Sequence, residues 1–252
     1  KAGIVRRGRP VVSGAVRPEA VDAIRERCRD EGAPLVEARA VASLSEDAGR
    51  GAFRVETARG AYDRLRLGLP GIHQRDNARV AVVLLEEIGS ALGFEVSPDA
   101  VRRGLAAVRW PGRLQWVAGD PPVLLDGAHN PAGAETLAGY LRERGGPAPV
   151  LLFAAAAGKD VAGILEPLRG LVARAVVTRP PVERAADPAP LASVATGLGL
   201  PAEVVPAPGA ALDRARRLAK DGSFVLVAGS LYLVGTVLSL LEGGDAPGPV
   251  SS

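Results

Sequence analysis

From about residue 110 onward, short apolar runs alternate with amphipathic stretches. The runs are PVLLD, PVLLFAA, RAVVT, AEVVP and SFVLVAGS, and the stretches after them cover 131–144, 160–172, 188–198, 209–220 and 231–242. Short uninterrupted apolar runs fit strands buried on both faces, and the intervening stretches have the length of helices. This alternation predicts a mostly parallel sheet with helices on both sides and right-handed crossovers. Residues 110–245 therefore read as a Rossmann-like α/β domain, and 246–252 as a disordered tail.

Residues 1–109 follow a different pattern. RPVVSG and APLVEA read as strands on either side of a helix over 18–30, in which Val21, Ile24 and Cys28 share a face and Pro18 suits the first turn. FRVETARGAYDRLRLGLPG alternates with period two on both sides of ARG, the pattern of a hairpin. A polar motif and a long helix fill 71–94, and Ser97, Pro98 and Asp99 open another helix over 97–108. This set is a poor basis for an independent core and reads as the back half of an α/β domain.

Composition narrows the class. Of 252 residues, 47% are hydrophobic and 23% charged, as in soluble globular proteins. No apolar run reaches the roughly 18 residues of a membrane span, and no secretory leader is recognisable. The single Cys28 excludes an internal disulfide and a cysteine-built zinc site, so a reducing, cytoplasmic setting is expected. The chain starts at Lys1 and contains no methionine, and the expectation is that it begins inside a larger protein. The net charge of +3 raises the question of nucleic acid. Its arginines are interspersed with acids, as in AIRERCRDEG and YLRERGG, and only 4% of residues are aromatic. That is the pattern of solvated helix faces, so small anionic ligands are expected and neither nucleic acid nor membrane is.

In open α/β sheets, ligands collect at the carboxyl ends of the strands. LLDGAHNP lies at such an end: Asp126 closes a strand and is expected to point into the crevice, while His129 and Asn130 stand where a helix starts at Pro131. Asn130 alone reads as a helix cap; Asp126 and His129 together favour a ligand site. Ser230 ends the last strand, as an anion-facing hydroxyl or a plain cap. Arg113, in WPGR between the two halves, suits a phosphate or a surface ion pair. GIHQRDNA carries the other histidine, His73, with Gln74 and Asn77. An amide offers the donor and acceptor that an adenine edge needs; helix capping by Asp76 or Asn77 is the alternative. No G-x-G-x-x-G follows the first strand of the 110–245 domain, which removes the anchor of a nicotinamide enzyme.

Taken in order, KAGI (1–4), LPGIHQRDNARVA (69–81), WPGRLQ (110–115), LLDGAHNP (124–131), GKD (158–160) and VLVAGSLYLVG (225–235) resemble the folylpolyglutamate synthase/dihydrofolate synthase family of the Mur ligase superfamily. The resemblance implies a Rossmann-like glutamate-ligase domain over 110–245, preceded in 1–109 by the C-terminal part of a P-loop-type central ATPase domain. It implies a cytoplasmic, monomeric ligase that uses ATP and Mg²⁺ to phosphorylate the carboxylate of dihydropteroate or a folate, which the amine of L-glutamate then attacks. By the same resemblance, Asn77 holds adenine with His73 and Gln74 beside it, Arg113 meets the ATP phosphates, and Asp126 meets the ribose or nearby phosphate. His129 lies between ATP and glutamate, Ser230 holds a glutamate carboxylate, and Lys1, as a carbamate, helps bind magnesium. The family's phosphate loop, magnesium-binding acid and most of its pterin site precede the KAGI segment, so the 252 residues are expected to be inactive alone. Gly158 departs from an acidic residue usual at that corner. Another Mur-type amino-acid ligase and a non-catalytic Rossmann-like binding module are the competing readings.

Overall fold

A computed structural model describes residues 2–47, 51–219 and 222–243. The chain divides into two compact units, Lys1–Arg109 and Trp110–Ser252.

In the first unit, β1 (Val11–Ser13), α1 (Pro18–Asp30) and β2 (Leu35–Glu37) form a parallel β-α-β turn with Val11 opposite Leu35. A single turn, α2 (Ala38–Val41), leads into an antiparallel sheet of β3 (Ala42–Glu46), β4 (Phe53–Thr57) and β5 (Gly60–Leu65). The hairpin is where the alternation predicts it. The strand β3 was not anticipated, and it changes the reading of this half: three strands support a core of their own. Phe53, Val55, Tyr62 and Leu65 pack there with Val82 of α3 (His73–Leu92) and Val101 of α4 (Pro98–Ala107). Ser97 caps α4 by accepting the Ala100 amide, as its position predicts.

The second unit is a six-stranded sheet. It contains β6 (Gln115–Val117), β7 (Val123–Leu125), β8 (Val150–Phe153), β9 (Arg174–Val177), β10 (Ala202–Val204) and β11 (Val225–Ala228), in the order β10-β9-β8-β11-β7-β6. All neighbours are parallel except β6, an antiparallel edge strand that was not anticipated. Leu124, Leu151, Phe153, Ala175 and Leu226 face one layer, made by α5 (Pro131–Arg144), α6 (Val161–Leu165) and α7 (Pro188–Gly197). Val123, Leu125, Val150, Leu152, Val225 and Val227 face the other, made by α8 (Pro208–Leu218) and α9 (Leu231–Leu241). Successive residues of a strand point to opposite faces, so strands covered on both sides are apolar throughout. The helix expected over 160–172 is shorter than predicted. It gives way to a 3₁₀ turn at Glu166–Leu168, because Pro167 has no amide hydrogen to continue the ladder. The proposed tail, 246–252, lies outside the described residues.

One detail of this sheet creates a crevice. β7 and β11 are neighbours, in parallel register from Val123–Val225 to Leu125–Val227. The helices that follow them, α5 and α9, lie on opposite faces. Where adjacent strands send their chains to opposite sides, the carboxyl ends are left open, and this is where ligands bind in such folds.

Candidate active site

Three loops meet at that opening. The Asp126 amide donates to the Val227 carbonyl at 3.0 Å, and the Gly229 amide to Ala128 at 2.8 Å, tying the end of β7 to the end of β11. The Gly127 amide donates to the Gly112 carbonyl at 2.8 Å, tying both to the segment before β6. Arg113, Asp126, His129 and Ser230, far apart in sequence, thus stand on loops stitched together at adjoining strand ends. Gly229 has φ +97°, and a Cβ there would lie 2.2 Å from the Ala154 carbonyl oxygen, so only glycine fits.

Asp126 is buried, and its carboxylate does not simply project into the crevice as expected. Oδ1 accepts the Ala128 amide at 2.8 Å and Oδ2 the Leu114 amide at 3.0 Å. His129 is half-buried, and its Nδ1–H donates to the Gly127 carbonyl at 2.8 Å. A ring nitrogen against a carbonyl must carry the hydrogen, so in the neutral ring the lone pair is on Nε2. Asn130 caps α5 through the Gly133 amide at 2.9 Å, the bland role expected of it. Ser230 caps α9, with Oγ accepting the Leu233 amide at 3.4 Å; its hydroxyl hydrogen remains available as a donor. Two helix N-termini therefore adjoin the opening and favour negative charge there. Arg113 is half-buried and forms no ion pair among the described residues, so the surface salt bridge weighed for it is not found.

His73, Gln74 and Asn77 belong to the first unit. His73 is the first residue of α3, and Gln74 and Asn77 follow in its opening turns. Neither Asp76 nor Asn77 caps the helix, whose N-cap residue is Ile72. Asp76 pairs instead with Arg39 at 2.8 Å and with Arg79. The three side chains form a relay: Asn77 Nδ2 donates to Gln74 Oε1 at 2.8 Å, and Gln74 Nε2 donates to His73 Nε2 at 3.0 Å. Gln74 is buried, whereas Asn77 is exposed and keeps a carbonyl oxygen and an amide hydrogen for an outside partner. Lys1 lies outside the described residues. Leu114 was not singled out in the sequence; it holds φ +45°, and leucine carries no signal of a left-handed backbone.

Residues 112–231 match the family model "Mur ligase, glutamate ligase domain". The dihydrofolate synthase/folylpolyglutamate synthase of Bacillus subtilis is 35% identical over 147 residues, 57% of this chain and 34% of its own length. The Mycobacterium tuberculosis protein of the same name is 40% identical over 138 residues, 54% of this chain and 28% of its own. Among solved structures, Escherichia coli FolC in complex with DHPP and ADP shares 30% identity with a TM-score of 0.78, covering 96% of this chain and 55% of that one. Folylpolyglutamate synthase of M. tuberculosis, complexed with ADP and AMPPCP, shares 29% with a TM-score of 0.82, covering 98% and 59%. The second unit is thus a Mur ligase glutamate-ligase domain. The chain as a whole is a homologue of the folylpolyglutamate/dihydrofolate synthases, and it spans little more than half the length of those solved relatives and about a third of the B. subtilis protein.

Proposed function

We propose that the protein is an ATP-dependent, ADP-forming ligase that adds L-glutamate to dihydropteroate, to folates or to both through an acyl phosphate. The observation that carries this reading is the meeting of Arg113, Asp126, His129 and Ser230 at the β7–β11 opening beside two helix N-termini. In the same reading, residues 1–109 are the C-terminal part of a P-loop-type ATPase domain, and the protein is a cytoplasmic monomer. No helix among the described residues is long and apolar enough to cross a membrane, and Cys28 is a free, buried thiol.

ATP supplies the phosphoryl group that activates the carboxylate. Arg113, with its planar fork and no ion pair among the described residues, neutralises charge on the phosphates, the main requirement of phosphoryl transfer. The exposed amide of Asn77, aligned by Gln74 and His73, reads the adenine edge. The Ser230 hydroxyl and the α9 N-terminus hold a carboxylate of glutamate. Its amine must lose a proton to attack the acyl carbon with expulsion of phosphate, and His129 Nε2 accepts that proton. Mg²⁺, when bound, would supply charge neutralisation at the transferring phosphoryl group; among the described residues no cluster of three or more His, Cys, Asp or Glu could hold it.

The test is ADP release by the natural polypeptide that carries these residues, with dihydropteroate or a folate and L-glutamate both required. Arg113→Ala and His129→Ala are each expected to lower kcat/KM by about 100-fold or more. Release that does not depend on glutamate overturns the ligase reading, and His129→Ala within about threefold of wild type overturns the role of His129.

A further inference from the structure

An amide side chain can meet a nucleobase in two ways. Its oxygen accepts and its nitrogen donates, and turning the group over exchanges the two. Adenine carries a donor, its exocyclic amine, beside a ring acceptor; guanine carries an acceptor, O6, where adenine has that amine. The orientation of the exposed Asn77 amide therefore decides which base it fits.

That orientation is fixed from inside the protein. Asn77 Nδ2 donates to Gln74 Oε1 at 2.8 Å, which places the Asn77 nitrogen beside Gln74 and leaves its oxygen on the other side. Gln74 is buried, so its amide must be matched by neighbouring side chains and not by water. With Oε1 accepting from Asn77, its Nε2 stands 3.0 Å from His73 Nε2 and needs an acceptor there. A neutral imidazole supplies one when its own hydrogen sits on Nδ1. Were the hydrogen on Nε2, Gln74 would have to turn over to accept it, and Asn77 would have to turn over in its wake. The three side chains, all in the opening turns of α3, thus have two self-consistent polarities, and the half-buried ring at the inner end selects between them.

We propose that His73 is a positioning residue that selects adenine over guanine: the lone pair on its Nε2 sets the polarity of Gln74, which leaves the Asn77 carbonyl oxygen to accept from the exocyclic amine of the base. The nucleotide in this proposal rests on the ligase reading above; the polarity rests on the relay alone. The rival role is a direct contact of His73 with the nucleotide.

Two measurements decide. The first needs no ligand: the long-range proton–nitrogen NMR spectrum of the His73 ring in the chain. It is expected to show the hydrogen on Nδ1 and the lone pair on Nε2, and a ring that carries its hydrogen on Nε2 overturns the proposal. The second is nucleotide preference in the ligation assay on the natural polypeptide, read as kcat/KM with ATP divided by kcat/KM with GTP. His73→Glu offers Gln74 an acceptor only and should keep that ratio within about threefold of wild type. His73→Lys offers a donor only and should lower the ratio by about tenfold or more, the discrimination that a bidentate amide gives. The opposite charges of these two side chains act on both triphosphates alike and cancel in the ratio. Asn77→Ala should lower the ratio as His73→Lys does. An equal fall in the glutamate and lysine variants means that the imidazole touches the nucleotide itself, and a ratio that no variant moves means that no base is read here; either result overturns the proposal. Ligation with neither nucleotide overturns the ligase reading, and base selection with it, whereas ligation with an unmoved ratio overturns base selection alone.

Discussion

The two units are stabilised in different ways. The second is a sheet whose central strands are covered on both faces, and the candidate site residues Asp126, His129 and Ser230 stand beyond the ends of two of those strands. The first has a smaller core, and ion pairs run across its surface: Arg25–Glu37, Arg39–Asp76, Arg59–Glu87 and Arg75–Glu46. Its most distinctive interior feature is polar. Glu86 of α3 is buried and accepts from Thr57 at 2.7 Å and from the Tyr62 hydroxyl at 2.8 Å. Tight packing tolerates little change of shape but is indifferent to salt, whereas half-exposed ion pairs are weak and screened. The loops of Arg113 and His129 are mounted on the rigid kind of support. The relay of His73, Gln74 and Asn77 opens a helix whose preceding residue, Ile72, is exposed.

Glycines give the sharpest way to break this contrast. Gly229→Ala in the second unit puts a methyl against the Ala154 carbonyl and the Phe153 ring at a left-handed φ, and should cost about 3 kcal/mol or more. Gly60→Ala in the first unit meets nothing within 4 Å and should change stability by less than about 0.5 kcal/mol. Urea unfolding, followed by the fluorescence of Trp110 and Trp116 for the second unit and by amide exchange in β4 for the first, reports both. Equal tolerance at the two glycines would mean that the strand ends are not tightly packed.

The next effect concerns the polar interior. Tyr62→Phe deprives the buried Glu86 of a donor and should destabilise the first unit by about 1–2 kcal/mol. Burial, then the hydrogen bond and the charge of Glu86, push ionisation of the Tyr62 phenol well above its ordinary value of 10.0. A group whose pKa is raised by folding gives its full contribution below the unfolded value and loses it as pH rises. Protection of β4 amides should therefore decline above pH 10, and less steeply in Tyr62→Phe. Identical alkaline profiles in the two proteins would remove Tyr62 from the account.

Salt should have the smallest effect. At about 1 M NaCl, where the screening length falls to about 3 Å, the first unit should lose less than about 1 kcal/mol and the second nothing measurable. Greater loss in the second unit would invert the comparison.

The legible parts of the molecule are those with a period. β7, β8, β9 and β11 and their helices could be read because burial on both faces leaves a nearly unbroken apolar run, as in Val225–Ala228, whereas the edge strand β10 is only partly buried. The edge strand β6 escaped because three residues, Gln115–Val117, carry no period of their own and are strands only through pairing with β7. β3 escaped for a similar reason, behind the single turn of α2. At the candidate site, Asp126 and Ser230 were legible as residue types at strand ends, His129 at a helix start and Arg113 in the segment between the two halves. That the Asp126 carboxylate reaches back twelve residues to a left-handed Leu114 was not, because neither the reach nor the backbone angle leaves a mark on residue type.

The strand order also bears on how the protein is made. β11 lies between β7 and β8, yet about a hundred residues separate it from β7 in the chain. Until those last residues have emerged from the ribosome, β7 has no parallel neighbour and the Gly229 amide cannot tie its loop to Ala128. Pairing at such separation is slow and comes late in assembly. The opening at the ends of β7 and β11 therefore forms only once β11 has taken its place between β7 and β8.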